Sequence, residues 1–138
     1  RILLSIGSDA NKREFLESAK LLYEHGYRLH ATPGTASFYK TQGLTHIVTL
    51  QKTEENDSLD NVIHALCNGQ LDAVINVSGD ATDELLSEQT HNGYRLRRTA
   101  VDFGIPMLTN MKTSILFCSA LVKRKNTDTI CSHYSERI

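Results

Sequence analysis

Short apolar runs alternate with helix-period segments along this 138-residue chain, and that alternation leaves few folds open. Strand, helix and strand in repetition is the unit from which a parallel sheet is built. Strands are expected at Ile2–Ile6, Tyr27–Ala31, His46–Leu50, Leu71–Val77 and Ile105–Leu108. Helices are expected at Lys12–His25, Pro33–Thr41, Leu59–Cys67, Tyr94–Phe103 and Lys112–Lys123. The first strand is nearly all apolar, which suits a sheet covered by helices on both faces. The helix behind it gathers Phe15, Leu16, Ala19, Leu22 and Tyr23 on one side. Gly26, Gly43 and Gly104 stand just past helical segments, where a glycine closes a helix. Polar stretches at Gln51–Ser58 and Asp80–Asn92 read as loops, the second with a helical turn. The fold class is α/β: a Rossmann-like three-layer α/β/α sandwich around a central five-stranded parallel sheet.

Charge and cysteine usage remove several function classes. A formal net charge of −1 offers no basic footprint for nucleic acid or a membrane surface. The run Lys123-Arg124-Lys125 ends a helix, where cations are favoured in any case. No apolar run approaches the ~20 residues of a membrane span, and no signal-peptide pattern opens the sequence. Cys67, Cys118 and Cys131 are odd in number and far apart, without a C-x-x-C pair. Cys67 and Cys118 are expected as small buried hydrophobes, and a cytoplasmic, reducing setting fits. The six histidines show no metal-ligand spacing, so no metal site is expected. Ser5, Ser78 and Ser119 lack a nucleophile elbow, so no catalytic serine is expected either. The sequence opens directly on a strand without an initiator Met, which fits one domain over residues 1–138 cut from a longer polypeptide.

The segment Leu29-His30-Ala31-Thr32-Pro33-Gly34-Thr35-Ala36 carries the functional signal. It runs a strand into a Thr-rich, Gly-containing turn with a helix directly behind. Backbone N–H groups, two hydroxyls and the positive end of a helix dipole then meet at one spot, which suits a phosphate or carboxylate. Ligands of open α/β sheets bind beyond the carboxyl ends of the strands. Three such ends carry small polar residues here: Thr32–Thr35, Asn76–Gly79 and Thr109-Asn110. Lys12 near a helix start is a poor choice for stability, because the dipole repels a cation there; a nearby anion explains it. Thr32 and Thr35 have a plainer role open to them as helix caps, Lys12 as a solvated lysine, and Lys52 as a partner of its acidic neighbours Glu54, Glu55 and Asp57.

Leu3-Leu4-Ser5-Ile6 with Lys12 downstream, Ala31-Thr32-Pro33-Gly34-Thr35-Ala36, Val74-Ile75-Asn76 and Arg97-Arg98-Thr99-Ala100 together carry a resemblance. Over essentially its whole length the chain is similar to the methylglyoxal synthase-like (MGS-like) domain that closes the large subunit of carbamoyl phosphate synthetases. The resemblance implies a regulatory domain that binds a small anionic effector and biases distant synthetase active sites. By that resemblance Thr32, Gly34 and Thr35 hold the effector's phosphate, Lys12 and Lys52 supply charge, and Asn76, Ser78 and Gly79 line the opposite wall. No residue is implied as catalytic, and no cofactor is expected in the domain itself. The parent enzyme would be a ligase using ATP and Mg, and its other domains would be partners. Lys52 and the Pro33-Gly34-Thr35 turn favour a phosphorylated effector of pyrimidine biosynthesis, such as UMP, UTP or phosphoribosyl pyrophosphate (PRPP). The segment from Arg97 to Asn110 also resembles ammonia-using synthetases of the mitochondrial matrix, which respond to N-acetylglutamate. The rival class is a methylglyoxal synthase enzyme, but the Gly-Gly-Asp turn of that family is here Asn56-Asp57-Ser58-Leu59-Asp60. Its catalytic histidine has no counterpart beyond His91, which stands in different surroundings. Of the adjacent Arg97 and Arg98, one is expected to bridge to a carboxylate such as Asp102 or Asp72.

Overall fold

The computed structural model describes residues 1–51, 61–79 and 95–135, with side chains described through residue 124. Among the described residues, five strands and five helices follow in the order β1 (Ile2–Ile6), α1 (Asp9–Glu24), β2 (Leu29–Ala31), α2 (Pro33–Thr41), β3 (Val48–Thr49), α3 (Val62–Cys67), β4 (Ala73–Val77), α4 (residues 95–102), β5 (Met107–Leu108) and α5 (Met111–Ser135). The strands form one sheet in the order β3-β2-β1-β4-β5, and every pairing is parallel. The expected α/β architecture with a five-stranded parallel sheet is therefore the observed one.

Alternation along each strand sorts the core into two layers. Ile2, Leu4 and Ile6 of β1 join Ala73, Ile75 and Val77 of β4 against Phe15, Ala19 and Leu22 of α1, Ala36 and Tyr39 of α2, and Cys118 of α5. Leu3 and Val74 face the other way, onto Val62, Ala65 and Leu66 of α3 and Leu96 of α4. The handedness of parallel crossovers accounts for this division. The chain steps outward from β1 to β2 and β3 with its helices on one face. It then crosses back to β4 and on to β5, which places α3 and α4 on the opposite face, while α5 returns to pack beside α1.

Element ends differ from the sequence reading for local reasons. α1 starts at Asp9 rather than Lys12 because Ser8 caps it, its hydroxyl accepting from the Asn11 N–H at 3.2 Å. α3 starts at Val62 because Asn61 caps it, Oδ1 accepting from the Ile63 N–H at 2.7 Å. β3 and β5 shrink to two residues each, since an edge strand has a partner on one side only. α5 runs on to Ser135, twelve residues past the expected Lys123. Cys118 is buried as expected, which pushes its thiol up to about 12. Cys67 is exposed instead: Val62, Ala65 and Leu66 already occupy the inward face of its short helix. No helix of the described residues is long and apolar enough to cross a membrane.

Candidate functional site

The sheet reverses its winding direction beside β1, whose neighbours are β2 on one side and β4 on the other. The carboxyl ends of these three strands border the crevice that open α/β sheets use for ligands. Thr32 and Thr35 sit there at the β2–α2 junction, 5% and 2% exposed. Neither hydroxyl caps α2: Thr32 stands in the N-cap position without a side-chain capping bond. Thr32 Oγ1 donates to Thr35 Oγ1 at 3.2 Å. Thr35 Oγ1 also accepts from the Ile6 N–H at 3.1 Å and donates to the Ile6 carbonyl at 3.3 Å. Thr35 is thus a rivet between α2 and the end of β1, its hydrogen-bonding capacity filled by protein groups. The capping role open to the two threonines in the sequence is not the one they play.

The start of α2 consequently lacks a side-chain cap, and Pro33 in its first turn brings no N–H. The N–H groups of Gly34 and Thr35 lie in that turn, at the positive end of the helix. Lys12 lies over the same turn: a Cβ built on Gly34 would meet its Nζ at 3.7 Å. The lysine side chain is only 13% exposed, and its ion pair among the described residues, to Asp9 Oδ1, is 3.8 Å long with the Asp9 side chain 73% exposed. An exposed pair of that length contributes at most about 1 kcal/mol. An ammonium group packed on a helix start costs a comparable ~0.3–1 kcal/mol. The pair of features makes sense with an anion between them and is poorly balanced without one.

On the other side of β1 stands the polar end of β4. Asn76 pairs with Ser5 of β1 and is 7% exposed, and its Nδ2 is buried without a hydrogen-bond partner among the described residues. A buried donor left unmade costs about 1–3 kcal/mol, so this amide is positioned for an acceptor from elsewhere. Beyond it, the Ser78 carbonyl accepts from Asn11 Nδ2 at 3.3 Å. Gly79 packs backbone to backbone on Gly7, where an added Cβ would run into the Gly79 nitrogen. Residues 7–12 therefore link the β2 end to the β4 end. Lys52, Asp57, Asp60 and His91 lie outside the described residues. Arg98 reaches Asp102 with 3.6 Å between Nε and Oδ2, one of the bridges expected, while Asp72 is taken by Arg1. Among the described residues no group of three His, Cys, Asp or Glu side chains could hold a metal.

Gly7, Ser8, Asn11 and Tyr39 are the site neighbours that sequence reasoning passed over. Ser8 is the one non-glycine with positive φ among the described residues, at 61°. The available signal was Gly7-Ser8-Asp9 itself, a fourth strand end made of small polar residues. A depression of about 430 Å³ between α2 and β3, lined by Pro33, Ser37, Lys40, Thr41 and Thr49, touches the site only at Pro33.

A parallel sheet whose polar strand ends meet at its winding reversal defines an open, doubly wound α/β class of domain. The MGS-like domain family matches residues 14–109, and the chain belongs to that family. It is 34% identical over 130 residues to the multifunctional protein URA2 of Saccharomyces cerevisiae, covering 92% of this chain and 6% of that protein. The multifunctional protein CAD of Squalus acanthias is 35% identical over 140 residues, covering 96% of this chain and 6% of that protein. The mitochondrial carbamoyl-phosphate synthase (ammonia) of Homo sapiens is 33% identical over 129 residues, covering 92% of this chain and 8% of that protein. The chain thus spans less than a tenth of the length of these relatives.

Proposed function

We propose that the chain is the allosteric effector-binding domain of a carbamoyl phosphate synthetase and takes a phosphorylated ligand, such as UMP, UTP or PRPP, at the carboxyl ends of its strands. The observation that carries this reading is the Lys12 ammonium over the uncapped first turn of α2. A phosphate there accepts from the Gly34 and Thr35 N–H groups and from Lys12 at once. Each charge-assisted bond of this kind is typically worth about 1.5–3 kcal/mol. The Asn76 amide gives the rest of the ligand a donor on the neighbouring strand end, with Ser78 and Gly79 behind it. Lys52 would add a second charge.

In this reading the domain is non-catalytic and the chemistry belongs to the parent ligase, with ATP and Mg. Such an effector acts by binding two states of the full enzyme unequally, and a coupling of about 1–3 kcal/mol suffices. The other domains of the same synthetase are then its partners. A second reading rests on the likeness to the human ammonia-type enzyme: the anion is the carboxylate of N-acetylglutamate, in a mitochondrial matrix protein.

Calorimetric titration with UMP, UTP, PRPP and N-acetylglutamate separates the two, with an assay for turnover of dihydroxyacetone phosphate alongside. Saturable binding of a phosphorylated ligand without turnover is expected. Binding of N-acetylglutamate alone selects the second reading, and turnover makes the chain a methylglyoxal synthase.

A further inference from the structure

Tyr39 is fully buried, one turn beyond Thr35 on α2, and its hydroxyl leaves its own helix to reach α1. It donates to the main-chain carbonyl of Lys12 at 2.8 Å. Of all the carbonyls of α1, the one it takes belongs to the residue whose ammonium lies over the α2 start. We propose that Tyr39 is a positioning residue for the anion site, holding the Lys12 backbone so that its ammonium stays over the Gly34–Thr35 turn. The proposal rests on the anion-site reading above and extends it to a residue that touches no ligand.

The physical argument concerns sliding. α1 and α2 share one face of the sheet and enter the same apolar cluster. Apolar burial is non-directional and resists separation better than it resists a shift along the helix axis. A helix rises about 1.5 Å per residue, so a slip of one residue carries the Lys12 side chain well off the turn. Hydrogen bonds have fixed lengths and directions, and α2 carries two side chains anchored by them on its inner side, four residues apart. Thr35 ties the helix to the end of β1, and Tyr39 ties it to α1. The Phe38 ring meets the Tyr39 ring edge-on at a centroid distance of 5.4 Å, restricting the phenol further. A carbonyl can only accept, so the phenol must keep its proton, and burial raises its pKa and keeps it there.

Tyr39→Phe removes the hydroxyl and little else, because the Lys12 carbonyl has a second lone pair for its helix bond. Two readouts on the 138-residue chain decide the matter. The first, without any ligand, is the nuclear Overhauser contact between the Lys12 ε-methylene and the Gly34 α-protons. It is expected in the parent and lost in Tyr39→Phe while the amide spectrum stays dispersed; its retention in the variant overturns the proposal. The second is titration with inorganic phosphate. Tyr39→Phe is expected to weaken binding about 3- to 10-fold, the worth of one net hydrogen bond, and to have no further effect in a Lys12→Gln background. An equal loss in both backgrounds marks a merely structural tyrosine and overturns the proposal as well. Failure of the parent to bind phosphate instead removes the anion-site reading, and the ligand-free contact then decides the Tyr39–Lys12 geometry alone.

Discussion

At Thr35 one hydroxyl meets three protein groups, and this changes what its removal should do. Thr35→Ala strands the buried Ile6 N–H, so a stability loss of about 1–3 kcal/mol is expected in chemical denaturation, with Thr35→Ser restoring most of it. Equal stability of Thr35→Ala and the parent would contradict the rivet. Gly34 behaves oppositely. A Cβ there would stand at ordinary contact distance from Lys12 Nζ, so Gly34→Ala should change stability by less than about 1 kcal/mol while filling the space between the ammonium and the turn. Phosphate binding should therefore fall in a fully folded variant, as calorimetry can read. His30 on β2 gives a pH dependence. Its Nδ1 is buried without a partner among the described residues. Burial, then the positive charges of the N-terminus, Arg1 and Arg28, hold its pKa below the usual 6.5. Below pH 6.5 the unfolded chain binds a proton that the folded chain refuses, so stability drops as pH falls from 6.5 through the folded value. Thermal melts from pH 7.5 to pH 5 should show a steeper loss for the parent than for His30→Leu.

The loops after β1 and β4 act as one element because their backbones touch. Gly7→Ala would place a Cβ inside contact distance of the Gly79 backbone, which no rotamer change relieves. A loss of about 1–3 kcal/mol, together with weaker phosphate binding, is expected from this single methyl group. An unperturbed Gly7→Ala variant would show that the two loops are not coupled. The elements themselves were legible where periodicity decided them. β1 and α2 stand where the apolar pattern puts them, and β4 does so from Ala73 on, two residues after the expected Leu71, because each is fixed by burial of alternate or helically spaced side chains. Ends set by single polar residues were harder to read: Ser8 and Asn61 move two helix starts by local hydrogen bonds that carry no hydrophobic signature. The polar residues after Lys123 hid the length of α5 for the same reason. At the site, residue types and strand ends pointed to Thr32, Gly34, Thr35 and Asn76, which the structure places at the β2–α2 junction and on β4. That both hydroxyl protons are spent on protein groups, Thr32's on Thr35 and Thr35's on Ile6, was not legible, since that depends on the distance of Thr35 from Ile6 across the sheet.

Across the whole molecule, the order β3-β2-β1-β4-β5 turns a set of short polar strand ends into one locus. β1 stands at the centre, paired with β4 along its length, with β2 over Ile2–Leu4, and tied to α2 through Thr35. In the proposed reading, a ligand held between α2 and β4 would bear on the part of the sheet that joins both core layers, a suitable origin for an allosteric signal. The most direct test is a two-dimensional amide spectrum of the 138-residue chain titrated with UMP, repeated with Lys12→Ala. Saturable shifts of the Gly34 and Thr35 N–H groups and of the Asn76 side-chain amide are expected, with affinity about 10- to 100-fold weaker in Lys12→Ala. Shifts confined to the Lys40–Thr49 depression, or the same affinity without Lys12, would contradict the anion site at the start of α2.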